Sequence, residues 1–461
     1  MKKRIYDTDE SLVVTISGLK EIFEKAGVVQ VLYKRLAPND NSKNQPYLAP
    51  HLSELAFLPT GEIGQEASTS KKTSDPKRQI RYKAPLPMSW IDVEGNEYPA
   101  SRAQVIYYPQ YPEVRLSGFL QGCKADLSEW MQPNKQGRVA GRVLFFGVHP
   151  EGRVISWLAP PHSRIAQEIS ETPSVEITSI FYQLLDSSKS QSSRSLLITA
   201  LRRIHQCGFI NGKRLDKHGL LKDYNAPNGG GYTLEAELGV IPNGIAEPDF
   251  HGWEVKQFAV KQFGRSASKP QTLMTPQPDG GVYFNEGLES FIKIYGYEDA
   301  KKVDRYNFNG RHFYNVRQEK TGLIFTIEGF DAESGKIVDA EGCIALIDDE
   351  AKTAASWSFA KLLGHWKKKH NRAVYIPCIK DKVDQGVAYH YGNQVELYSG
   401  TTFERFLKAI TEHHVYFDPG SRINNISTKP DPKHRSQFRI KHGDLFRLYE
   451  GKEEIDVLLP S

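Results

Sequence analysis

Short apolar runs, broken by proline, glycine and asparagine, mark the first part of this chain. Residues 28–33, 103–108 and 142–148 are examples. Apolar runs of this length between turn-forming residues are typical of β-strands. Residues 11–25 are predicted to form a helix, and the polar residues 68–77 an exposed loop. The pattern therefore predicts a mostly β first domain over residues 1–160.

The pattern changes after a pair of prolines at positions 160 and 161. Residues 161–194 are polar and helical in parts, and the serine-rich stretch 187–193 is the best candidate for a linker. An amphipathic helix at 195–207 then opens a second domain, which we assign to residues 195–461. No internal repeat is visible.

Composition narrows the class of protein. The chain has 461 residues, 39% of them hydrophobic, and a formal net charge of +5, as expected for a folded protein of two or three domains. Its four cysteines are isolated, which argues against a zinc ribbon or a disulfide framework. The basic start is not followed by an apolar stretch, and no run is long enough to span a membrane. We therefore expect a cytoplasmic protein without a membrane partner.

The chemistry is concentrated between positions 247 and 256. Glu254 and Lys256 lie two residues apart on a predicted strand, so their side chains share a face. His251 and Gly252 can turn the chain and bring Asp249 beside Glu254. The two carboxylates suit Mg²⁺, and the lysine can orient or deprotonate a water molecule. The same spacing also occurs in an ordinary surface strand with a Glu–Lys pair, and that alternative stays open.

Two polar segments of the first domain have side chains suited to DNA. They span residues 33–41 and 106–115. Lys34 and Arg35 are suited to phosphates, and arginine, acidic and amide side chains are suited to base edges. The candidates for base contacts are Asn39, Asp40, Glu113 and Arg115. The alternative is a pair of ordinary solvated loops.

These segments resemble the N-terminal effector domain of EcoRII-type restriction endonucleases. The resemblance is carried by Lys34-Arg35-Leu36 with Asn39-Asp40, by Ile106-Tyr107-Tyr108, and by Glu113-Val114-Arg115. It implies an all-β, B3-like pseudobarrel that grips DNA between two arms. The loop between the arms is shorter and less basic here than in that family.

The stretch from Pro248-Asp249-Phe250 to Glu254-Val255-Lys256 resembles the active site of the MvaI/BcnI family of restriction endonucleases. That likeness implies an α/β catalytic domain with the PD-(D/E)XK fold. The glycine run 229–231, followed by Glu235, is similar to a family helix that carries an auxiliary acid. A glutamate near a helix N-terminus is also favoured by the helix dipole alone.

A basic patch near the C-terminus extends the same resemblance. Phe438-Arg439-Ile440 matches a family arginine that reads the central base pairs. The other DNA-contact candidates are Asp418, Arg422, His434, Arg435 and Gln437. A solvated basic tail is the alternative. The family has an Asp-x-Arg pair where this chain reads Tyr416-Phe417-Asp418, so Asp418 and Arg422 are expected to share that work or to make a different contact.

Together the two resemblances imply a Type IIE restriction endonuclease of the bacterial cytoplasm. It is expected to act as a monomer, to require Mg²⁺, and to bind two copies of CC(A/T)GG in double-stranded DNA. A DNA-binding regulator with an inactive nuclease half, and a nicking or repair nuclease of the same fold, remain alternatives. The central base pair, the cut position and the sign of the effector's influence stay open.

Overall fold

The computed structural model describes residues 2–38, 45–67, 80–171, 175–178, 180–184, 193–241, 249–265, 267, 269–370, 372–383 and 386–459. The chain forms two compact units, Met1–Ser192 and Ser193–Ser461. The predicted loop at 68–77 and most of the serine-rich stretch lie outside the described residues. The four cysteines are free thiols.

The first unit is rich in β-structure and also contains helices. Its helices are α1 (Asp9–Leu12), α2 (Ile16–Lys25), α3 (Ser128–Met131), α4 (Arg164–Glu171) and a 3₁₀-helix at Leu52–Leu55. Its strands are β1 (Lys3–Arg4), β2 (Gln30–Arg35), β3 (Tyr47–Ala49), β4 (Gly64–Ala67), β5 (Ile80–Pro85), β6 (Met88–Ile91), β7 (Glu97–Pro99), β8 (Gln104–Tyr108), β9 (Glu113–Ser117), β10 (Ala125–Asp126), β11 (Val143–His149), β12 (Arg153–Ala159), β13 (Val175–Glu176) and β14 (Tyr182–Gln183). The helix predicted at 11–25 is divided in two, because Thr15 caps α2 by accepting the Gly18 backbone N–H.

Two large sheets build the described part of this unit. One has the order β13-β14-β2-β11-β12-β6-β7, and the other has the order β3-β9-β8-β5-β4. Aromatic side chains such as Trp90, Phe145 and Trp157 are fully buried within the unit. Both strand orders are open rows, so the closed, B3-like pseudobarrel stays a prediction, and the helices make the unit β-rich rather than all-β.

The described residues up to 184 of the predicted linker, residues 161–194, include regular elements and buried side chains. Ile165 and Ile169 of α4 are 0% and 1% exposed. Strand β14 extends the larger sheet by pairing with β2, and the Tyr182 ring stacks on Tyr33 at 5.5 Å. The segment is polar on average, but Ile165, Ile169, Phe181 and Leu184 are buried, and average composition does not reveal that arrangement.

The second unit mixes helices and strands. Its helices are α5 (Ser193–Gln206), α6 (Gly229–Glu237), α7 (Gly281–Tyr295), α8 (Phe359–Lys369), α9 (Phe403–Thr411) and a 3₁₀-helix at His442–Leu448. Its strands are β15 (Ile210–Asn211), β16 (Lys213–Leu215), β17 (Leu221–Asp223), β18 (Glu254–Ala259), β19 (Gln271–Met274), β20 (Tyr297–Glu298), β21 (Arg305–Asn309), β22 (Ile324–Glu328), β23 (Phe330–Asp331), β24 (Lys336–Ile337), β25 (Cys343–Ile347), β26 (Thr353–Ser358), β27 (Arg372–Val383), β28 (Gly386–Tyr391), β29 (Gln394–Ser399), β30 (Val415–Phe417), β31 (Gly420–Asn424), β32 (Asp431–Lys433), β33 (Phe438–Ile440) and β34 (Gly451–Asp456).

Strand β27 is the centre of the main sheet of this unit. The order is β15-β28-β27-β29-β34, and β18 runs parallel along β27. Alternate side chains of these strands face an apolar core with α5 and α6, which includes Leu197, Leu201, Leu234, Val255, Val374, Ile376 and Leu397. Because successive strand residues point to opposite faces, the residues between them, including Glu254 and Lys256, face the other side of the sheet.

Smaller sheets complete the second unit within its described residues. They have the orders β19-β33-β30, β20-β21-β31-β32 and β22-β25-β26, with β-hairpins at β16-β17 and β23-β24. In the described part of the chain, no helix is both long and apolar enough to cross a membrane.

The apolar core between the main sheet and α5 and α6 can be tested by truncating Leu397, which is 4% exposed. We expect Leu397→Ala to lower the free energy of unfolding by about 2–5 kcal/mol, because it leaves a cavity. Leu459 is 62% exposed, so Leu459→Ala should change that free energy by less than about 0.5 kcal/mol. Guanidinium denaturation of the full chain measures both. Equal effects would contradict this description of the core.

Candidate active site

A tight turn at His251 and Gly252 sets the position of Asp249. The two turn residues have φ values of 46° and 83°, the positive values that a two-residue type I′ hairpin turn requires. The flanking residues close the turn with backbone hydrogen bonds of 3.0 and 2.9 Å. An Asp249 carboxylate oxygen then accepts the Val255 backbone N–H at 2.9 Å. The turn thus holds the Asp249 carboxylate against the start of β18.

Glu254 and Lys256 form an ion pair on the polar face of β18. The Lys256 ammonium donates a hydrogen bond to the Glu254 carboxylate. The Glu254 side chain is 1% exposed and that of Lys256 is 25% exposed. A buried carboxylate is costly unless a cation and hydrogen bonds compensate it. The spacing of two residues therefore supplies the partner that the buried Glu254 needs.

The charge state of Lys256 follows from its neighbours. Burial by itself would lower the pKa of this lysine, but the Glu254 and Asp249 carboxylates outweigh burial and raise the pKa above its ordinary value. In this arrangement Lys256 is a cation at neutral pH. It can donate hydrogen bonds to water or to a phosphate oxygen, whereas removing a proton from water would require the neutral amine.

Polar and aromatic side chains continue this face of the sheet. The strand register puts Tyr375 beside Lys256 and Glu396 beside Tyr375. Tyr375 is 1% exposed, and burial raises the pKa of its hydroxyl to about 12. The Nε2 atom of His442 is 2.9 Å from a Glu396 carboxylate oxygen. The catalytic candidates thus stand beside a neutral phenol and a histidine–carboxylate contact.

Glu235 lies on α6, as the glycine run predicts. The neighbouring Leu234 packs in the apolar core with Val255, so α6 covers the opposite face of β18 from Glu254 and Lys256. Among the described residues, no group of three or more His, Cys, Asp or Glu side chains is close enough to hold a metal ion. Glu235 therefore does not join Asp249 and Glu254 in such a group, and its auxiliary role stays a prediction.

The donor set formed by Asp249 and Glu254 fits Mg²⁺. This ion takes one or two protein carboxylates and keeps several waters. Two carboxylates held at one end of a strand provide that minimum, and Lys256 limits the charge that they accumulate. A structural zinc site would instead need four cysteine or histidine ligands, which this site does not offer.

The predicted DNA-contact residues of this unit lie mostly on one twisted pair of strands. We call residues 415–424 and 431–440 the reading ribbon. Backbone pairing places position 416 opposite 439, 418 opposite 437, 420 opposite 435 and 422 opposite 433. Side chains opposite one another share a face. One face of the ribbon therefore carries Tyr416, Asp418, Arg422, Lys433, Arg435, Gln437 and Arg439. On the other face, the side chains of the following residues are buried: Phe417, Ser421, Ile423, Ser436 and Phe438.

Asp418 pairs with Arg439 in the reading ribbon. An Arg439 guanidinium nitrogen donates to the Asp418 carboxylate at 2.8 Å, and both side chains are 22% exposed. A second guanidinium nitrogen donates to the Pro270 carbonyl at 2.9 Å. The aspartate–arginine pair that the sequence lacks as a contiguous motif is thus assembled between two strands. Its arginine is Arg439, whereas Arg422 stands opposite Lys433.

His434 is placed differently from the other candidates. It is exposed, but it lies on the opposite side of its strand from Arg435. Its Nδ1 atom is 2.7 Å from the Tyr283 hydroxyl. Arg435 is exposed, and its side chain passes directly over Gly420. A Cβ atom added at Gly420 would lie 2.7 Å from the Arg435 side chain.

In the first unit, Lys34 is not available to phosphates. It is 3% exposed, and its ammonium donates to the Tyr47 carbonyl. In this conformation the side chain points into the protein, and the phosphate contact of Lys34 stays a prediction. Arg35 is exposed, donates to the Ile169 carbonyl at 3.1 Å, and lies over the Tyr182 ring. Asn39 and Asp40 lie outside the described residues.

Glu113 and Arg115 form a partly exposed pair on β9. The Arg115 guanidinium donates to the Glu113 carboxylate at 2.7 Å, and the two side chains are 15% and 24% exposed, respectively. The guanidinium also donates to the Gln45 carbonyl at 3.0 Å. The residues are two apart on one strand, so they face the same way and reach the surface together.

Some neighbours of these sites were not predicted from the sequence. Arg311 lies over the Tyr416 ring at 5.5 Å. Tyr375 and Tyr449 are buried beside the Glu254–Lys256 pair. Each comes from a part of the chain far from the residue it contacts. No local pattern marks such residues, since strand register alone brings them together.

Comparison with known proteins identifies the family to which the chain belongs. The model of the MvaI/BcnI restriction endonuclease family matches residues 198–449, which is more than half of the chain and contains Asp249, Glu254, Lys256 and the reading ribbon. The chain belongs to the MvaI/BcnI restriction endonuclease family.

Two solved structures of MvaI are also similar to the chain, with low sequence identity. MvaI in complex with its cognate DNA substrate is 20% identical, covers 58% of this chain and 99% of its own, and has a TM-score of 0.43. MvaI in the absence of DNA is 19% identical over the same shares, with a TM-score of 0.32. A search of curated proteins found no match.

The turn that holds Asp249 can be tested by Gly252→Ala. Gly252 has a φ of 83°, so an added Cβ should lower the free energy of unfolding by about 1–2 kcal/mol. The substitution should also reduce DNA cleavage, because it disturbs the hydrogen bond between Asp249 and Val255. Gly335 has a φ of 65° in a distant hairpin, so Gly335→Ala is the matched control. It should cost similar stability in chemical denaturation and leave cleavage intact. Equal loss of cleavage in both variants would refute the role of the turn.

Proposed function

We propose that the chain is a Mg²⁺-dependent Type II restriction endonuclease that cuts double-stranded DNA at CC(A/T)GG. The observation that carries the proposal is the placement of Asp249, Glu254 and Lys256 on one turn and strand within the family region. Two carboxylates beside an ammonium are suited to phosphodiester hydrolysis. An inactive, regulatory nuclease half is disfavoured, because all three groups are present and adjacent.

Each of the three side chains has its own task in the proposed mechanism. Asp249 and Glu254 would hold Mg²⁺, which when bound polarises a phosphate oxygen and lowers the pKa of water. The Val255 N–H orients the Asp249 carboxylate. Lys256, as a cation, donates hydrogen bonds to the attacking water and to the phosphate oxygen on which charge develops. In-line attack is expected to leave a 5′-phosphate and a 3′-hydroxyl.

The reading ribbon is the proposed base-recognition surface. A two-stranded ribbon fits the major groove of B-DNA. Arginine donates to the O6 and N7 atoms of guanine, and a carboxylate accepts from the amino group of cytosine. The Asp418–Arg439 pair offers both groups within 2.8 Å of each other, as recognition of a C·G pair requires. Arg422, Lys433 and Arg435 are placed along the same face to contact phosphates.

The first unit is the proposed effector domain. Its Glu113–Arg115 pair repeats the carboxylate–guanidinium chemistry of the reading ribbon, which supports a second copy of the same DNA sequence as its ligand. One chain would then bind an effector copy and cut another copy, the Type IIE arrangement. A single catalytic centre in a chain that acts as a monomer would cut the two strands one after the other.

Cleavage of plasmids with zero, one or two CC(A/T)GG sites tests the nuclease. With Mg²⁺ we expect fast cutting at two sites and slow cutting at one. Asp249→Asn and Lys256→Ala should each lower the rate by about 100-fold or more, because each removes a group that stabilises the transition state. DNA binding should be spared, and Lys261→Ala, an exposed lysine beyond β18, should cut normally. Full activity of either site variant would refute the site, and cuts confined to one strand would favour a nicking enzyme.

The effector assignment is tested by Arg115→Ala. We expect weaker binding of effector DNA by about 1–3 kcal/mol, the range for one bidentate arginine–guanine contact. Stimulation by a second site should disappear while cutting at a single site persists. Arg153→Ala breaks an ion pair with Glu97 elsewhere on this unit and is the control. Unchanged dependence of Arg115→Ala on a second site would contradict the effector role.

A further inference from the structure

A chain of polar contacts runs from the reading ribbon into the interior of the second unit. It begins at Arg439, which donates to the Pro270 carbonyl at 2.9 Å. Pro270 precedes β19, and β19 pairs with β33, the strand that carries Arg439. The register between these strands shifts between Thr272 and Met274. Leu273 therefore stands in a β-bulge, which frees its carbonyl from the regular ladder.

His370 connects this bulge to Tyr449. The His370 Nε2 atom is 3.2 Å from the Leu273 carbonyl oxygen, and its Nδ1 atom is 3.3 Å from the Tyr449 hydroxyl. A carbonyl only accepts, so Nε2 carries the proton. In the neutral ring Nδ1 is then an acceptor, and Tyr449 donates to it. The Trp366 ring stacks on His370 at 4.1 Å and fixes the ring plane.

Tyr449 connects His370 to the active site. Its hydroxyl interacts with that of Tyr375, and each phenol affects the pKa of the other. Tyr375 is the register partner of Lys256 and interacts electrostatically with its ammonium. The contacts can then be followed in one order. His370 donates to the Leu273 carbonyl and pairs with the Tyr449 hydroxyl, and Tyr375 is the next residue along this line, between Tyr449 and the ammonium in the order of contacts.

Burial makes this chain of contacts demanding. His370, Tyr375 and Tyr449 are 1%, 1% and 3% exposed. In a low-dielectric interior, hydrogen bonds polarise one another, and a partly satisfied network is costly. A shift of β19 that breaks the contact with His370 therefore carries a free-energy penalty. The other residues in this series of contacts can relieve that penalty only by rearranging. The position of the Lys256 ammonium is thus linked physically to the position of the bulge.

We propose that His370, Tyr449 and Tyr375 are positioning residues that couple base reading by Arg439 to the placement of Lys256. The proposal rests on the nuclease function proposed above. We call these three residues the relay. When Arg439 engages its base, β19 is held, and the relay fixes the ammonium against the reacting phosphate. When the base is wrong, Arg439 and Pro270 shift, and the lysine loses its support. Discrimination then appears in the rate of chemistry as well as in binding.

The relay is tested by Tyr449→Phe and Tyr375→Phe in the full chain. Each substitution keeps the ring and removes one hydroxyl. Single-turnover cleavage of the site that the wild type cuts should slow by about 10- to 100-fold, the range typical of losing an outer partner that orients a side chain of a metal-dependent active site. The dissociation constant of the DNA and the melting temperature should stay close to the wild-type values.

Tyr398→Phe is the matched control. Tyr398 is also buried, and its ring lies 5.5 Å from that of Tyr375 and 5.0 Å from that of Tyr449. Its hydroxyl, however, donates to Glu396 at 2.9 Å and lies outside the relay. We expect this variant to cleave at the wild-type rate. A loss of cleavage rate equal to that of Tyr449→Phe would mean that removing any buried hydroxyl group in this region slows cleavage. That result would overturn the relay.

The coupling is tested on a site with one altered G·C pair. In Tyr449→Phe the rate should fall on the cognate site and change little on the altered site, so the ratio of the two rates should decrease. In a double-mutant cycle with Arg439→Lys, the two losses should be less than additive. The coupling would be overturned if Tyr449→Phe slowed cleavage equally on both sites, or if weaker DNA binding accounted for the slowing. Additive losses in the double-mutant cycle would also overturn it. If the wild-type protein cuts no DNA, the nuclease function itself is refuted. If the wild type cuts DNA and the two phenylalanine variants cut at the same rate, only the relay is refuted.

Discussion

The burial of one negative charge, that of Glu254, is the constraint on which the catalytic unit depends. A carboxylate that is 1% exposed needs a cation in contact with it. Lys256 meets that need from two residues away on the same strand face. One face of the sheet must then be polar, so the apolar core with α5 and α6 forms on the other face. The fold and the candidate active site therefore follow from the same alternation along β18.

Features set by neighbours in sequence could be predicted well. The strand at Glu254–Lys256 and the turn at His251–Gly252 are both present, because a period of two and a positive φ are local properties. The glycine run does open α6. The membership of the family followed from the same short motif. Local chemistry was sufficient wherever one strand or one turn determines the geometry.

Features set by distant segments could not be predicted. Lys34 carries a charge, and nothing in its neighbourhood along the chain shows that it points inward to the Tyr47 carbonyl. The partner of Asp418 depends on the register of two strands, and the structure gives Arg439 where spacing suggested Arg422. Tyr375, Tyr449 and His370 converge only after the chain folds. Each case depends on tertiary pairing, which a single sequence does not display.

The proposal that both units bind the same DNA sequence rests on two carboxylate–arginine pairs of similar geometry. Glu113 and Arg115 are adjacent on one strand, whereas Asp418 and Arg439 come from two strands, and both pairs present similar distances. A guanidinium already held by a carboxylate and a backbone carbonyl loses little freedom when it meets guanine. In the proposed complex the same carboxylate would accept a hydrogen bond from the amino group of the partner cytosine, and a base without an amino group would not supply that bond. On the proposed function, such a pair would therefore favour a C·G pair over the others in either unit.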